Sequence, residues 1–292
     1  MTASTPRLDP LEVRRTLRRE GLRASHARSQ NFLADPDVLQ AILDLAEAGP
    51  GTRVLEIGPG LGILTGGLLQ AGASVTAVEL DAGLAAYLRA HFAASIDAAQ
   101  LTLLEGNALD LELPTLVPNP YRVVANLPYH ITSPILHRLL GGAPPPQRLV
   151  LMLQAEVAER IAAPPGRMSY LSVFVQFHAT VRVALAVPPE AFEPAPKVSS
   201  AVVVLEPHAR PPLPAPREPA LWGLVQAGFR ERRKMLRNVL GRQLHEGVDG
   251  ASGQLAGQAR VDAALATAGI AGDRRPQTLS VGDWLRLLEA LT

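Results

Sequence analysis

Glu56-Ile57-Gly58-Pro59-Gly60-Leu61-Gly62 follows a short apolar run at residues 53–57 and leads into a helical stretch beginning near Leu64. Glycines at such a junction allow a tight turn and a close backbone approach to a ligand at a helix N-terminus. A dinucleotide and a nucleoside cofactor both fit a loop of this kind. The dinucleotide fingerprint is G-x-G-x-x-G with a carboxylate about twenty residues on. Here the spacing is G-x-G-x-G with Glu56 just before it, which favours S-adenosylmethionine over a nicotinamide or flavin. A purely structural strand turn is the remaining alternative.

Outward from this loop, β-branched and apolar runs at 53–57, 74–79, 101–105, 122–125 and 148–153 alternate with helical stretches starting near Leu64, Ala82 and Ser133. Such alternation predicts an α/β fold, a parallel sheet with helices on both faces. Ser133-Pro134 reads as an N-cap followed by proline at the first helical position. Runs at 181–187 and 201–206 are expected to close the sheet as antiparallel strands. Glu79, ending the second run, is placed to accept from both hydroxyls of a ribose.

Six prolines fall between Pro207 and Pro219, too many for an interior strand or helix, and mark a stiff linker and a domain boundary. Beyond it, residues 221–244 and 259–268 have helical spacing, and Ser280 opens a last amphipathic segment through Trp284, Leu285, Leu288 and Leu291. A small all-helical C-terminal domain is expected.

The 292 residues contain no cysteine, which excludes a disulfide framework, a Cys-ligated metal and thiol catalysis. The seven histidines show no metal-binding spacing, so no metal is assigned. No apolar run approaches the roughly 20 residues needed to span a bilayer. The net charge of +1 conceals two basic stripes. Residues 1–28 carry seven Arg against Asp9, Glu12 and Glu20, and residues 228–242 carry Arg230, Arg232, Arg233, Lys234, Arg237 and Arg242 against Glu231. Two such stripes on an acidic body suggest a polyanion-docking surface, although solvated helix faces would give the same count. The first 28 residues lack the apolar stretch of a signal peptide, so a cytoplasmic location is expected.

Asn126-Leu127-Pro128-Tyr129 falls at the end of the fourth predicted strand, where open α/β sheets bind ligands. An exocyclic amine needs acceptors for two hydrogens and a flat partner for its ring. The Asn126 side-chain oxygen and the Leu127 carbonyl supply the acceptors, Pro128 fixes the turn, and Tyr129 offers a stacking face.

With these motifs in hand, the chain resembles the ribosomal RNA adenine N6-dimethyltransferases of the small-subunit 16S type. Further blocks carry the resemblance over nearly the whole length. They are Gln30-Asn31-Phe32-Leu33, Glu79-Leu80-Asp81, Phe192-Glu193-Pro194-Ala195-Pro196-Lys197-Val198, Arg232-Arg233-Lys234-Met235-Leu236-Arg237 and Thr278-Leu279-Ser280-Val281. The resemblance implies a Rossmann-like class I S-adenosyl-L-methionine-dependent methyltransferase domain at residues 1–206 and a helical RNA-binding domain at 207–292. Gln30 and Asn31 would hold the methionine end of the cofactor, Glu79 its ribose, and Asn107 and Ala108 its adenine. Leu33, Glu56, Gly58, Gly60, Leu80 and Asn126 would complete the cofactor contacts. Phe192 would cover the target base opposite Tyr129.

The implied reaction is methyl transfer to N6 of two adjacent adenosines near the 3′ end of 16S rRNA in the small ribosomal subunit, by a monomer without metal or membrane. The rival readings are a large-subunit adenine methyltransferase, and an RNA-binding assembly factor with weak catalysis. Two positions depart from the family pattern. Ser29 stands where glycine is usual before Gln-Asn-Phe-Leu, and Asn107 where aspartate is usual after the third strand.

Overall fold

The computed structural model describes residues 9–22, 30–128, 131–243 and 251–292. In chain order its elements begin with α1 (Pro10–Arg19), β1 (Phe32–Leu33), α2 (Pro36–Ala46), β2 (Arg53–Ile57), α3 (Ile63–Gln70), β3 (Ser74–Glu79) and α4 (Ala82–His91). There follow α5 (Ala93–Asp97), β4 (Leu101–Glu105), β5 (Arg122–Asn126), α6 (Thr132–Gly141), β6 (Arg148–Gln154), α7 (Ala155–Ile161) and α8 (Tyr170–His178). The remainder are β7 (Ala179–Val187), β8 (Phe192–Glu193), β9 (Ser200–Pro207), α9 (Glu218–Arg230), α10 (Leu236–Gln243), α11 (Ala251–Thr267) and α12 (Val281–Leu291).

Seven strands form one sheet in the order β4-β3-β2-β5-β6-β9-β7, parallel from β4 to β6, with β9 antiparallel to both its neighbours. Strands covered on both faces are continuous apolar runs rather than alternating ones. Residues 149–153 of β6 are all buried, as are 54–57 of β2. The chain runs from β2 outward through β3 and β4, then returns to the other side of β2 as β5. The carboxyl ends of β2 and β5 therefore flank the switch point of the sheet, where the connections diverge and leave a crevice.

The chain divides into two compact units. The first comprises residues 1–158 and 179–207, and the second residues 159–178 and 208–292. The excursion at 159–178 corrects the single boundary expected at 207. Its helix α8 carries Val173 and Phe177 into the same apolar core as Leu221, Leu236, Val261 and Trp284, so hydrophobic burial assigns it to the helical unit. Three smaller corrections follow the same logic. Helical spacing over 221–244 is broken between α9 and α10, and residue 244 lies outside the described residues. Helix α6 opens at Thr132 without a side-chain cap, and Ser133 and Pro134 occupy its first turn instead of preceding it. Pro207 ends β9 rather than starting the linker, and Leu213 is buried in the helical core. Ser280 and Asp283 form a reciprocal capping box that starts α12.

Candidate active site

A crevice opens at the carboxyl ends of β2, β3, β4 and β5, lined mostly by apolar side chains with a few polar groups among them, as small-molecule sites are. Its β2 edge is the glycine loop. Gly58, Gly60 and Gly62 all have positive φ, at 70°, 60° and 77°, a region that residues with a Cβ rarely enter. Packing adds a second requirement. A Cβ on Gly62 would lie 2.4 Å from the Phe92 ring and 2.8 Å from Leu88, and one on Gly60 would lie 3.0 Å from the Phe32 ring.

Glu79 ends β3 and fixes this loop from the neighbouring strand. One carboxylate oxygen accepts from the Gly60 N–H at 3.0 Å, the other from the Asp81 N–H at 2.8 Å. A carboxylate oxygen can accept more than one hydrogen bond, and Glu79 borders the crevice. Burial raises the Glu79 pKa, and the two backbone donors oppose that rise. Leu80, beside it, is 54% exposed although it is a large apolar residue on the crevice rim. Asp81 turns its side chain away from the crevice to cap α4, accepting from Gly83 and Leu84.

Glu56 occupies a different place from the cofactor contact expected of it. Its side chain is buried behind the loop, is not part of the crevice lining, and accepts from the Thr65 hydroxyl at 2.7 Å. The second oxygen, Oε1, is buried with no hydrogen-bond partner among the described residues. Burial, with the charge of Glu79 adding to it, pushes the Glu56 pKa up to about 8.

On the β5 side, Asn126 donates from Nδ2 to the Asn31 carbonyl at 3.2 Å, which aims its oxygen the other way. Leu127 is held by its N–H to the Met152 carbonyl at 3.1 Å, and Pro128 accepts from the Ile131 N–H at 3.2 Å. Tyr129 lies outside the described residues, as does Ser29. Phe192 reaches the crevice because β8 pairs antiparallel with β1, setting Leu33 opposite Phe192 and Phe32 opposite Glu193. Gln30, Asn31, Leu33, Gly58, Gly60, Glu79, Leu80, Asn107, Ala108, Asn126, Leu127 and Pro128 all border the same space.

Asn107 has local duties as well. Its Oδ1 accepts from the Leu109 N–H at 3.1 Å, and its Nδ2 donates to Asp110 at 3.1 Å. Sequence reasoning passed over Phe32 and Ile131 as lining residues. Phe32 was legible in principle as an aromatic inside the Gln-Asn-Phe-Leu block, whereas nothing in the sequence marks Ile131. Among the described residues no group of three or more His, Asp or Glu side chains is arranged to hold a metal ion, and no helix is long and apolar enough to cross a membrane.

The comparisons with known proteins agree with one another. The family model described as ribosomal RNA adenine dimethylase matches residues 22–291. "Ribosomal RNA small subunit methyltransferase A" of Thermosynechococcus vestitus is 43% identical over 278 residues, covering 92% of this chain and 97% of that protein. The protein of the same name from Geobacter sulfurreducens is 41% identical, covering 94% and 98%. Among solved structures, the 23S rRNA methyltransferase ErmE is 30% identical with a TM-score of 0.69, covering 89% of this chain and 99% of its own. A dimethyladenosine transferase from Plasmodium falciparum is 26% identical with a TM-score of 0.73, covering 88% and 95%. These relatives share the class I methyltransferase architecture, and the chain belongs to the ribosomal RNA adenine dimethylase family.

Proposed function

We propose that the chain transfers methyl groups from S-adenosylmethionine to N6 of two adjacent adenosines near the 3′ end of 16S rRNA in the small ribosomal subunit. The observation that carries this reading is the placement of Asn126 beside the glycine loop in one crevice, with its amide nitrogen committed to the Asn31 carbonyl and its oxygen left to accept.

The residues fit the cofactor. The glycine backbone leaves room where side chains would intrude, the Glu79 carboxylate suits a ribose diol, and exposed Leu80 suits the flat face of an adenine. Bound there, S-adenosylmethionine supplies a methyl group activated by its sulfonium. Gln30 and Asn31 would hold its methionine end, and Asn107 and Ala108 its adenine.

The target amine shares its lone pair with the adenine ring. Acceptors at the Asn126 oxygen and the Leu127 carbonyl engage its two hydrogens and favour the pyramidal nitrogen that attacks, while alignment supplies much of the remaining acceleration. Phe192 and Tyr129 hold the ring between two faces. The methylated cationic nitrogen sheds its proton readily, so neither a strong base nor a metal is called for.

Exposed Arg232, Arg233, Lys234 and Arg237 supply a charged turn for RNA phosphates, with affinity that falls as salt rises. The stripe over residues 1–28 lies partly outside the described residues. We take the enzyme to act as a cytoplasmic monomer. Higher identity to the small-subunit relatives than to the 23S enzyme, 43% against 30%, favours 16S over large-subunit RNA. Incubating the protein with undermethylated small subunits and labelled cofactor, then mapping the label, tests the reading. Label on paired adenosines near the 3′ end of 16S rRNA is expected, and label on large-subunit RNA alone would overturn it.

A further inference from the structure

Helix α1 and the turn that follows it are held beside the crevice at two points. After the helix Leu22 packs over the start of α4, where a Cβ on Gly83 would meet it at 3.3 Å. Nearer the N-terminus of α1 Arg14 makes a two-pronged ion pair with Glu193 of β8, Nε to Oε1 at 2.7 Å and Nη2 to Oε2 at 2.8 Å. On the same helix Val13 and Thr16 are buried. The Glu193 side chain is only 13% exposed beneath Arg14, which is itself 56% exposed.

Successive side chains of a strand point to opposite faces. Glu193 therefore faces α1 from the residue next to Phe192, which faces the crevice. Strand β8 has two residues and, among the described residues, one strand neighbour, β1; the Phe192 ring, 2% exposed, packs in the core beside the crevice, so its place follows where β8 is held. A paired guanidinium and carboxylate impose direction as well as attraction, which a lysine in place of Arg14 would not reproduce.

We propose that Arg14 and Glu193 are a positioning pair for the target base: by tying β8 to α1 they set Phe192 against the adenine ring, and so act on the methylation step rather than on cofactor affinity. The proposal rests on the methyltransferase reading above. Arg14 is exposed while Glu193 is mostly covered, so loss of Arg14 carries some cost in stability, which a thermal melt reads beside the rate.

The test uses the full chain with Arg14→Ala, Arg14→Lys and the double exchange of Arg14→Glu with Glu193→Arg. Single-turnover methylation of undermethylated small subunits is followed at saturating cofactor and saturating RNA, beside cofactor affinity by calorimetry and a thermal melt. Arg14→Ala is expected to slow the saturated rate by roughly fivefold to tenfold, as a small misplacement of a reacting group does. Cofactor affinity should stay within about twofold and Tm within about 3 °C. Arg14→Lys should recover part of the rate, and the exchanged pair most of it. An unchanged rate in Arg14→Ala overturns the proposal. So does a loss that the exchange does not repair, or one that cofactor affinity follows. A parent chain inactive on small subunits would instead strike the functional reading itself.

Discussion

The wall of the crevice that carries Gly58, Gly60, Glu79 and Asn107 is made from the ends of three adjacent parallel strands, β2, β3 and β4, each reached in turn along the chain. The facing wall gathers Asn31, Asn126 and Phe192 from segments far apart in sequence, joined by a two-residue strand pair and by the hydrogen bond from the Asn126 side chain to the Asn31 carbonyl. In the first wall the backbone does the holding, through Glu79 to the Gly60 and Asp81 amides. In the second, orientation depends on side chains. The difference teaches that damage to the first wall should register as cofactor affinity, and damage to the Asn126 oxygen or Phe192 in the second mainly as rate.

The largest expected break of this comparison is Asn126→Ala. Removing the acceptor that aligns the amine should lower single-turnover methylation by roughly a hundredfold or more. Cofactor affinity, set mainly by the other wall and by Gln30 and Asn31, should remain within a few fold by calorimetry. A variant with activity within threefold of the parent would remove Asn126 from the reaction.

Glu79→Gln inverts the pattern. A glutamine has one acceptor oxygen in place of two, so it loses one backbone donor and weakens its hold on a ribose. Losing a charge-assisted bond of this kind should weaken cofactor binding by about tenfold or more, while the rate at saturating cofactor stays within about threefold. If the rate fell and affinity held, the division of labour between the walls would be wrong.

The same division explains how much could be read in advance. The first wall was legible because it recurs at strand ends: the largely buried runs Val54 to Ile57 and Val75 to Glu79 alternate with helical stretches, and glycines with a following carboxylate mark the turns. The second wall was legible only through resemblance, since a strand of two residues leaves no periodicity to detect. Residues 159–178 were misassigned because an apolar helix face does not say which core will bury it; Val173 and Phe177 suit either unit by composition. The break between α9 and α10 was hidden because Glu231 to Met235 contains neither glycine nor proline. The inward turn of Glu56 was invisible too, for only the fold shows Thr65 directly behind it.

Glu56 sharpens the comparison from inside the first wall. Its unfolded-state pKa lies near the ordinary 4.5 and its folded value near 8. Between these values the native state holds a proton that the unfolded chain has released, so stability falls as pH rises. The contribution is complete below about 4.5 and lost as pH passes 8. Glu56→Gln should remove this dependence, flattening the slope of unfolding free energy against pH by close to one proton per molecule. Urea unfolding at several pH values across that window measures it. Parallel slopes in parent and variant would mean that Glu56 is already ionised in the folded protein. Cofactor affinity at pH 6 should change less than about twofold, because the side chain lies outside the crevice lining.

The smallest effect is expected at Asn107, where the resemblance leads one to expect aspartate. A carboxylate facing an adenine amine would form a stronger bond than a neutral amide, roughly 1.5 to 3 against about 1 kcal/mol. On that ground alone Asn107→Asp should tighten cofactor binding by as much as tenfold. The structure supplies two opposing facts. The Asn107 oxygen is already engaged by the Leu109 N–H, a turn-capping role that aspartate would fill equally well. The amide nitrogen donates to Asp110, so a carboxylate would place two acceptor oxygens about the same 3.1 Å apart. Like charges at that distance raise one another's pKa and push the turn open. Gain and repulsion should therefore nearly cancel, leaving affinity within about twofold at neutral pH. Pairing Asn107→Asp with Asp110→Asn separates the terms, because the donor is then restored from the other side. The double variant should bind more tightly than the parent by several fold. If it binds no better, the side chain at 107 serves the turn alone, and the first wall holds the adenine by shape and backbone.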